Sequence, residues 1–291
     1  MKQERIAGAA VSTPLTDNLT IDYDCLVDHV TQLQQRGIDL FTLFGTTGEG
    51  ASFSRAERVE ALGRCRAAGI TETQLGMGVF GLSSHDASED CKAAFASGCG
   101  HVLLAPPFFY KGVDDEGLYR WFSEVIESAG PNPGHYVLYH IPEMTQVGLS
   151  VELVTRLAAQ FPDVVVAVKD SSGNWPHTKR LIEERGALKI LVGHEGFLER
   201  GMRIGATGAI AGTSNVIPEI IKAIVHNNSE QPNLTMLIDE LLKYPVIPAV
   251  KGLIAHRSGA PDWLRVRSPF TVLDGHLVNV LGKHLDKFFP A

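Results

Sequence analysis

Apolar and polar positions alternate along this chain in two ways, one typical of buried strands and one typical of amphipathic helices. Short continuous apolar runs are followed by longer stretches in which apolar residues recur every three or four positions. Eight runs are predicted as strands: residues 6–11, 40–44, 75–80, 101–105, 136–140, 164–168, 188–192 and 207–211. Eight helices are predicted after them: residues 22–36, 54–68, 84–97, 115–128, 150–160, 174–185, 196–204 and 218–226.

This repeat, with roughly thirty residues per unit, predicts parallel βαβ units and an α/β fold. Eight such units are expected to close into a (β/α)8, or TIM, barrel. An open doubly wound sheet is disfavoured because no Gly-rich G-x-G-x-x-G turn follows the first strand. Residues 227–291 have no strand pattern, and helices are predicted there at 234–242, 247–258 and 273–289. We therefore expect a barrel over residues 1–226 and a helical region, 227–291, packed on it.

Composition and charge exclude some classes of partner. The 291 residues carry a net charge of -7, with no basic patch interleaved with aromatic residues, which argues against nucleic acid. The four cysteines are scattered without a C-x-x-C pair, which fits a reducing compartment. No apolar run reaches transmembrane length, and the N-terminal residues are polar. We expect a cytoplasmic protein that binds neither nucleic acid nor membranes.

One predicted strand ends in an unexpected residue. Five apolar residues, Val164 to Val168, lead directly into Lys169. A run of this kind is typical of a strand buried on both faces, where an ammonium costs on the order of several kcal/mol unless it is paired or neutralised. A lysine held as the neutral amine is a nucleophile. The alternative is that Lys169 merely ends the strand, with its head in water or paired to Asp170.

The other predicted strand ends favour the first interpretation. In (β/α)8 barrels the C-terminal ends of the strands meet at one face, where the chemistry takes place. These ends offer hydroxyls, a phenol and a carboxylate: Thr46, Thr47, Tyr139, Glu195 and Thr213. An amine beside a phenol suggests that Lys169 attacks a ketone and forms an imine. Tyr139, aligned by Thr46, is then a candidate to move the proton, although it could equally be a barrel-top aromatic with its hydroxyl in water.

The histidines carry no metal signature, since no H-x-H or H-E-x-x-H pair occurs. His101, His140 and His194 fall near strand ends, where a single histidine is more often a hydrogen-bonded packing residue. We therefore expect no metal site, and no cofactor other than a covalent link through Lys169.

Five short motifs in this order resemble the dihydrodipicolinate synthase / N-acetylneuraminate lyase family, and the resemblance extends over essentially the whole chain. The motifs are Gly45-Thr-Thr-Gly-Glu49, Pro107-Phe-Phe-Tyr110, Tyr139-His-Ile-Pro142, Val168-Lys-Asp-Ser171 and Gly205-Ala-Thr-Gly-Ala-Ile210. The resemblance implies a (β/α)8 barrel and a pyruvate-dependent class I aldolase with a Schiff-base lysine. It also implies a homotetramer built as a dimer of dimers.

Specific roles are implied for the motif residues. Lys169 would form the imine with pyruvate or another 2-oxo acid, Tyr139 would transfer the proton, and Thr46 would be the relay hydroxyl beside it.

Further roles concern binding. Thr47, with the backbone N–H groups of the loop that begins at Gly45, would contact the carboxylate of the 2-oxo acid. Tyr110 would reach into the site of a neighbouring subunit, and Ile210 would pack on the pyruvyl group.

The chain departs from its best-known relatives where the second substrate would bind. Met144 stands where the synthase has an arginine that clamps a carboxylate, and a methionine cannot make that bidentate contact. Gly196 and Gly212 stand where sialic-acid lyases place hydroxyl-binding residues. Three residues remain as candidates to bind substrate hydroxyls: Ser171, Glu195 and Thr213.

Three functions stay open at this point. The favoured one is a lyase, an aldolase or a dehydratase, acting on a 2-oxo-3-deoxy sugar acid or a similar 4-hydroxy-2-oxo acid, with a 2-oxo acid and an aldehyde as small-molecule partners. The second is 4-hydroxy-tetrahydrodipicolinate (dihydrodipicolinate) synthase of lysine biosynthesis, with another group in place of the arginine. The third is a non-catalytic protein that binds a 2-oxo acid on the same barrel.

Overall fold

The computed structural model describes residues 5–130 and 134–290. Eight strands, β1 to β8, span Ile6–Ala10, Leu40–Leu43, Leu75–Val79, His101–Leu104, His135–His140, Val165–Asp170, Lys189–Val192 and Gly208–Ala211. Each is parallel to its neighbours, and β8 pairs with β1, so the sheet closes into a barrel. The predicted (β/α)8 barrel is confirmed. The strand bounds differ from the predicted ones mostly at the ends, and β6 differs most because it continues through Lys169 to Asp170.

The helices lie where the pattern places them. Helices α1 to α4 span Tyr23–Gln35, Arg55–Ala67, Ser84–Ala96 and Asp115–Ala129, and α5 to α8 span Pro142–Thr145, Val151–Gln160, Trp175–Glu184 and Leu198–Arg203. Helices α9 to α12 span Pro218–Asn227, Pro232–Leu241, Val246–Ser258 and Gly275–Phe288. The short helix α5 is not among the predicted elements; it begins at Pro142, and proline suits the first position of a helix.

Local chemistry fixes the start of helix α2. Ser54 precedes the helix, and its hydroxyl accepts a hydrogen bond from the backbone N–H of Glu57 at 3.3 Å. The Glu57 carboxylate in turn accepts the N–H of Ser54 at 2.9 Å. This is a capping box, which stabilises a helix start by about 0.5–2 kcal/mol. Helix α2 follows β2 and the loop that carries Thr46 and Thr47, so its start helps to fix the far end of that loop.

The strands have two faces and contact two separate cores. Inward-facing residues form a small cluster that fills the barrel: Ala10, Leu103, Ala105, Val137, Tyr139, Ile141, Ala167, Leu191 and Ile210. Outward-facing residues such as Leu138 and Val168 belong to a larger core between the strands and the helices. Because side chains alternate along a strand, Tyr139 and Lys169 share the inward face with Val137 and Ala167.

The C-terminal segment is helical, as the pattern predicts. Helix α11 is apolar almost all round, and its residues from Ile247 to Ala255 are all buried. Helix α10 buries Leu234, Leu237, Ile238 and Leu241, and these residues belong to the same apolar core as the outer face of the barrel. A boundary between two regions at residues 226 and 227 stays a prediction. Within the described residues, no helix is both long and apolar enough to cross a membrane.

Candidate active site

A cavity of about 320 Å³ opens at the C-terminal ends of the strands. Its walls come from the loops after β2, β5, β6, β7 and β8 and from helices α10 and α11 with the turn between them. The lining residues are Thr46, Thr47, Tyr139, Ile141, Glu143, Met144, Lys169, Ser171, Gly193, His194, Glu195, Ile210, Gly212, Thr213, Ile238, Leu241, Leu242, Tyr244, Pro245, Val246 and Val250. Nine of the eleven predicted site residues are therefore brought to one cavity.

An amine, a phenol and a hydroxyl stand in line within this cavity. Lys169 Nζ lies 3.4 Å from the Tyr139 hydroxyl, and that hydroxyl lies 3.1 Å from Thr46 Oγ1. The Lys169 ammonium or amine also lies 4.6 Å from the centroid of the Tyr139 ring. Lys169 is 4% exposed and Tyr139 is 1% exposed. A chain of this kind can pass a proton between the amine region and the loop that carries Thr46.

The barrel register explains why these residues meet. Tyr139 of β5 is the direct partner of Lys169 of β6 in the parallel ladder, so two inward side chains arise at the same height. Gly193, at the end of β7, leaves them room, because a Cβ there would lie 2.0 Å from Ser171 Oγ and 2.9 Å from Lys169 Cε. The idea that Lys169 ends the strand with its head in water is wrong: its side chain is buried. It is not paired to Asp170 either, because Asp170 faces the other side of the sheet.

The candidate binding residues fall on two sides of the cavity. Thr47 Oγ1 lies 3.4 Å, and Glu195 Oε1 lies 3.7 Å, from the position that a Cβ on Gly212 would occupy. Glu195 Oε1 accepts hydrogen bonds from the Thr213 backbone N–H at 3.0 Å and its hydroxyl at 3.2 Å. This fixes one carboxylate oxygen of Glu195 while the residue still lines the cavity.

Two predicted site residues are not in the cavity wall. Gly45 lies behind it, where its carbonyl accepts the N–H of Gly50 at 3.1 Å and so closes the turn that holds Thr46 and Thr47. Tyr110 is 73% exposed and packs edge-on against Phe109, which is 70% exposed. A contribution of Tyr110 to a neighbouring subunit's site stays a prediction.

Some lining residues were not predicted as part of the site. Glu143 comes from the unpredicted helix α5. The apolar wall of Ile238, Leu241 and Tyr244 comes from the C-terminal helical region, whose distance in sequence from the strand ends hid its role. His194, expected to be a packing residue, lines the cavity and also packs at a tilt against Phe197, with ring centroids 4.5 Å apart.

On the outer face of the same two strands, buried His140 and Asp170 form a polar cluster with half-buried His177 of helix α7. The rings of His140 and His177 stack at 4.1 Å, and Thr178 donates to the Asp170 carboxylate at 2.6 Å. Burial by itself raises the pKa of Asp170, but hydrogen bonds from His177 and Thr178 outweigh it and bring the pKa to about 2. Burial lowers the pKa of His140 to about 4. Burial also opposes the charge on His177, but its bonds to Asp170 leave its pKa raised.

The ligand-type atoms of His140, Asp170 and His177 lie within 4.8 Å of one another, so the cluster is a geometric candidate for a metal ion. Three of its four ring nitrogens, His140 Nδ1 and both of His177, are already hydrogen-bonded, however. Leu149 N–H donates to His140 Nδ1 at 2.9 Å, and His177 Nε2 donates to the Leu149 carbonyl at 2.9 Å. A metal held by His177 would displace one of its two hydrogen bonds, so the arrangement fits a hydrogen-bonded cluster better than a metal centre. The expectation of no metal remains a prediction.

The cysteine thiols are poor candidates for a nucleophile. Burial raises the pKa of Cys65, Cys91 and Cys99 to about 12, and burial together with nearby aspartates raises that of Cys25 to about 11. Thiols in this state are not thiolates near neutral pH. The nucleophile best placed in the cavity is therefore the amine of Lys169.

An eight-stranded barrel whose cavity at the C-terminal ends of the strands holds an amine, a phenol and carboxylates defines a (β/α)8-barrel enzyme. Comparison with known proteins gives the particular family. A model of the "Dihydrodipicolinate synthetase family" matches residues 3–287. The chain belongs to this family, whose members are lyases of the aldolase type, and it is a lyase. The resemblance inferred from five motifs is thereby confirmed.

Three relatives illustrate the match. The crystal structure of dihydrodipicolinate synthase from Agrobacterium tumefaciens is 41% identical, with a TM-score of 0.94 over 97% of this chain and 98% of that one. A DapA-like lyase from Chloroflexus aurantiacus is 30% identical over 97% of this chain and 96% of its own length. The 4-hydroxy-tetrahydrodipicolinate synthase of Sorangium cellulosum is 34% identical over 77% of this chain and 74% of its own length.

Proposed function

We propose that the protein is a class I lyase in which Lys169 forms a Schiff base with pyruvate or a related 2-oxo acid. The Lys169 amine attacks the keto carbon, the carbonyl oxygen leaves as water, and a C=N bond remains. The observation that carries the proposal is the buried line from Lys169 Nζ to the Tyr139 hydroxyl at 3.4 Å and on to Thr46 at 3.1 Å. No separate cofactor is needed, because the imine itself withdraws electrons.

In the cleavage direction, the imine of a 4-hydroxy-2-oxo acid accepts the electron pair of the C3–C4 bond. The C4 hydroxyl gives up its proton to the Tyr139 oxygen, an aldehyde leaves, and an enamine remains on Lys169. Protonation of the enamine at C3 and hydrolysis of the imine then release pyruvate and restore the amine. Thr46 supports this cycle because its hydroxyl lies within hydrogen-bond distance of Tyr139 and can take or return the proton.

Further residues have proposed binding roles. Thr47 and the N–H groups of the loop from Gly45 would bind the 2-oxo-acid carboxylate, and Ile210 would pack against the pyruvyl carbons. Tyr110 would complete the relay from a neighbouring subunit of a homotetramer. Its high exposure supports this idea, because a large aromatic side chain outside the core is free to contact another chain. A cytoplasmic location also stays our prediction.

The charge of the cavity supports a hydroxylated acceptor. Among the described residues that line it, Lys169 is the only lysine or arginine, whereas Glu143 and Glu195 supply two carboxylates. An acceptor with its own carboxylate would lack a bidentate partner and would meet like charge. Carboxylates and hydroxyls accept hydrogen bonds from sugar hydroxyls. We therefore favour a 2-oxo-3-deoxy sugar acid, or a similar 4-hydroxy-2-oxo acid, as substrate.

A second candidate is 4-hydroxy-tetrahydrodipicolinate synthase, which condenses pyruvate with aspartate semialdehyde. It is favoured by the names of the relatives from Agrobacterium tumefaciens and Sorangium cellulosum. Met144 argues against it, since the cavity offers no arginine there to hold the carboxylate of aspartate semialdehyde. A purely non-catalytic 2-oxo-acid-binding role has less support, because the family consists of lyases.

The chemistry is tested by trapping. The protein is incubated with pyruvate, the imine is reduced with borohydride, and the mass of the intact chain is measured. We expect one pyruvyl adduct per chain, and no adduct on a folded Lys169→Ala variant. Failure of the unaltered protein to form the adduct, or an adduct that survives in Lys169→Ala, would contradict the proposal.

The substrate is tested by a screen of 2-oxo-3-deoxy acids of different length and stereochemistry, in which released pyruvate is measured. Aspartate semialdehyde with pyruvate is assayed in parallel for condensation. We expect cleavage of at least one sugar acid at a rate well above that of the condensation. A condensation faster than every cleavage would favour the synthase.

A further inference from the structure

The loop that carries Thr46 and Thr47 has an unusual backbone. It ends at Glu49, a non-glycine residue in the left-handed region with φ of 56°. Such a conformation costs on the order of 1 kcal/mol or more, and it persists only where the surroundings hold it. The next residue must be small, because a Cβ on Gly50 would lie 1.8 Å from the Phe44 carbonyl. The loop is therefore a tight turn that needs an external restraint.

That restraint comes from the other end of the chain. The carboxylate of Glu49 forms an ion pair with Lys251 of helix α11, and both side chains are completely buried. The second oxygen of Glu49 accepts the backbone N–H of Arg267 at 2.8 Å. Lys251 also donates to the carbonyl of Arg265 at 2.6 Å. Both charged groups are thus hydrogen-bonded, which is the condition for a buried ion pair to be tolerated.

The ion pair connects two walls of the cavity. Glu49 follows Thr46 and Thr47 in the loop, and its backbone N–H donates to the Thr46 carbonyl at 3.0 Å. Lys251 follows Val250, which lines the same cavity from helix α11. A shift of helix α11 would therefore move the Thr46 loop, and with it the hydroxyl that lies 3.1 Å from Tyr139.

A pair of this kind adds little net stability, since an apolar pair of the same shape is often as stable or more so. Its better-attested use is to select one arrangement of chain segments. Burial lowers the pKa of Lys251 in spite of Glu49, so the carboxylate is needed to keep the ammonium in place. The cost of burying both charges is explicable if the pair fixes a geometry that an apolar contact would leave loose.

We propose that Glu49 and Lys251 are positioning residues for the reaction: their buried ion pair makes the C-terminal helix α11 hold the Thr46–Thr47 loop in register with Tyr139. Neither side chain lines the cavity, so both act through the loop. The expected effect on the reaction rate rests on the proposed function. The expected effect on the position of the Thr46–Thr47 loop does not. It also gives the C-terminal helical region a role in the reaction beyond covering the barrel.

The test uses the full-length protein with both charges removed together, as Glu49→Gln with Lys251→Met, so that no unpaired charge stays buried. The first readout is hydrogen–deuterium exchange of the peptide that covers residues 45–53, which needs no substrate. The second is deuterium incorporation into the methyl group of pyruvate in D2O, which follows proton removal from the imine and return to C3. The third is borohydride trapping of the pyruvate adduct.

We expect faster exchange of the 45–53 peptide in the double variant, and methyl deuteration slower by about 10- to 100-fold, because small misplacements of a catalytic group cost up to this factor. The adduct still forms at saturating pyruvate, since Lys169 is untouched. A matched control removes another buried pair, Arg58 with Asp90, which joins helices α2 and α3 at 2.8 Å. The control variant, Arg58→Met with Asp90→Asn, keeps the protection and the deuteration rate within about threefold of the unaltered protein.

A folded double variant with unchanged peptide protection and unchanged deuteration overturns the proposal. So does an equal loss in the Arg58 and Asp90 control, which would indicate general loosening. If the double variant does not fold, Glu49→Asp, which keeps both charges but shortens the carboxylate side chain by one methylene, gives the same comparison with a smaller expected change. If the unaltered protein forms no pyruvate adduct, the proposed function has failed; peptide protection then decides the structural claim by itself.

Discussion

Two lysines in this protein are buried in apolar surroundings, but their polar partners differ. Lys169, at the end of strand β6, is 4% exposed, and Lys251, in helix α11, is 0% exposed. Lys251 is held by the carboxylate of Glu49 and by a carbonyl. Within the described residues, no carboxylate forms an ion pair with Lys169, whose polar neighbour is the phenol of Tyr139. We therefore propose that the polar partner, together with an open cavity next to the amine, makes Lys169 rather than Lys251 the reactive lysine.

The largest expected effect is that of Lys169→Met. This variant removes the amine but keeps the length of an apolar side chain, so trapping of pyruvate is abolished and turnover falls to background. Because an unpaired buried amine is removed, its stability stays within about 1 kcal/mol of the unaltered protein or rises. Mass spectrometry after borohydride reduction checks the loss of the pyruvate adduct. Urea unfolding checks the stability. A large loss of stability would mean that Lys169 is as firmly paired as Lys251.

The second-largest expected effect is that of Tyr139→Phe, which removes the hydroxyl beside Lys169 and leaves the lysine in place. Loss of a general acid–base group lowers turnover by about 10²- to 10⁴-fold, while the pyruvate adduct is still trapped. Initial rates of pyruvate release, compared with the yield of adduct, measure this. A variant with near-normal turnover would show that the phenol 3.4 Å from Lys169 is not the proton carrier.

Lys251→Met is expected to lower stability and keep the pyruvate adduct, whereas Lys169→Met keeps stability and loses the adduct. It leaves the Glu49 carboxylate buried and unpaired, which costs about 3–5 kcal/mol in the free energy of unfolding. The adduct on Lys169 still forms in the folded fraction. Urea unfolding at neutral pH measures the loss in the free energy of unfolding. Addition of Glu49→Gln to this variant is expected to recover part of that loss. If both lysine variants lose stability equally, the distinction between the paired and the unpaired lysine does not hold.

The smallest effect concerns Asp170, the outward neighbour of Lys169, and it shows how a fully paired group behaves. Its pKa falls from 3.8 to about 2 on folding. The group therefore contributes stability above about pH 4, on the order of 2 kcal/mol, and this is lost as the pH falls towards 2. His177, whose pKa is raised, contributes below its ordinary pKa of 6.5 and loses this contribution as the pH rises through the folded value.

Urea unfolding over a pH series compares Asp170→Asn with the unaltered protein. The variant is expected to lack the fall in stability between about pH 4 and pH 2 that is assigned to this carboxyl. Removal of the exposed pair of His226 and Asp39, at 2.8 Å, is the control. We expect it to change the free energy of unfolding by at most about 1 kcal/mol, because exposed pairs contribute no more than that. Parallel curves for Asp170→Asn and the unaltered protein would contradict the assignment.

The comparison of the two lysines also explains how far the sequence leads. The alternation of strands and helices is enforced by burial with periods of 2 and 3.6 residues, so the barrel and most element bounds could be predicted. Lys169 could be found because a lysine directly after Val164–Val168 conflicts with its surroundings. Lys251 has a similar signal, since it is a lone lysine in a buried stretch of an apolar helix.

What the sequence conceals is the partner. Glu49 lies 202 residues from Lys251, and no local pattern connects them. The same holds for the cavity wall from helix α10 and for His177, whose pairing with Asp170 depends on how helix α7 packs on the barrel. Side-chain direction could be predicted within a strand, as for Tyr139 and Lys169. Contacts between distant segments follow from tertiary packing, which the periodicity of each segment does not determine.

The most direct test of the central claim is to locate the trapped adduct. After incubation with pyruvate and reduction with borohydride, the protein is digested and the modified lysine is identified by peptide mass spectrometry. We expect the pyruvyl group on Lys169, with Lys251 unmodified. The fraction of Lys169 that is modified is expected to match the fraction of activity that is lost. An adduct on Lys251, or one spread over exposed lysines while Lys169 stays unmodified, would contradict the assignment of the reactive amine.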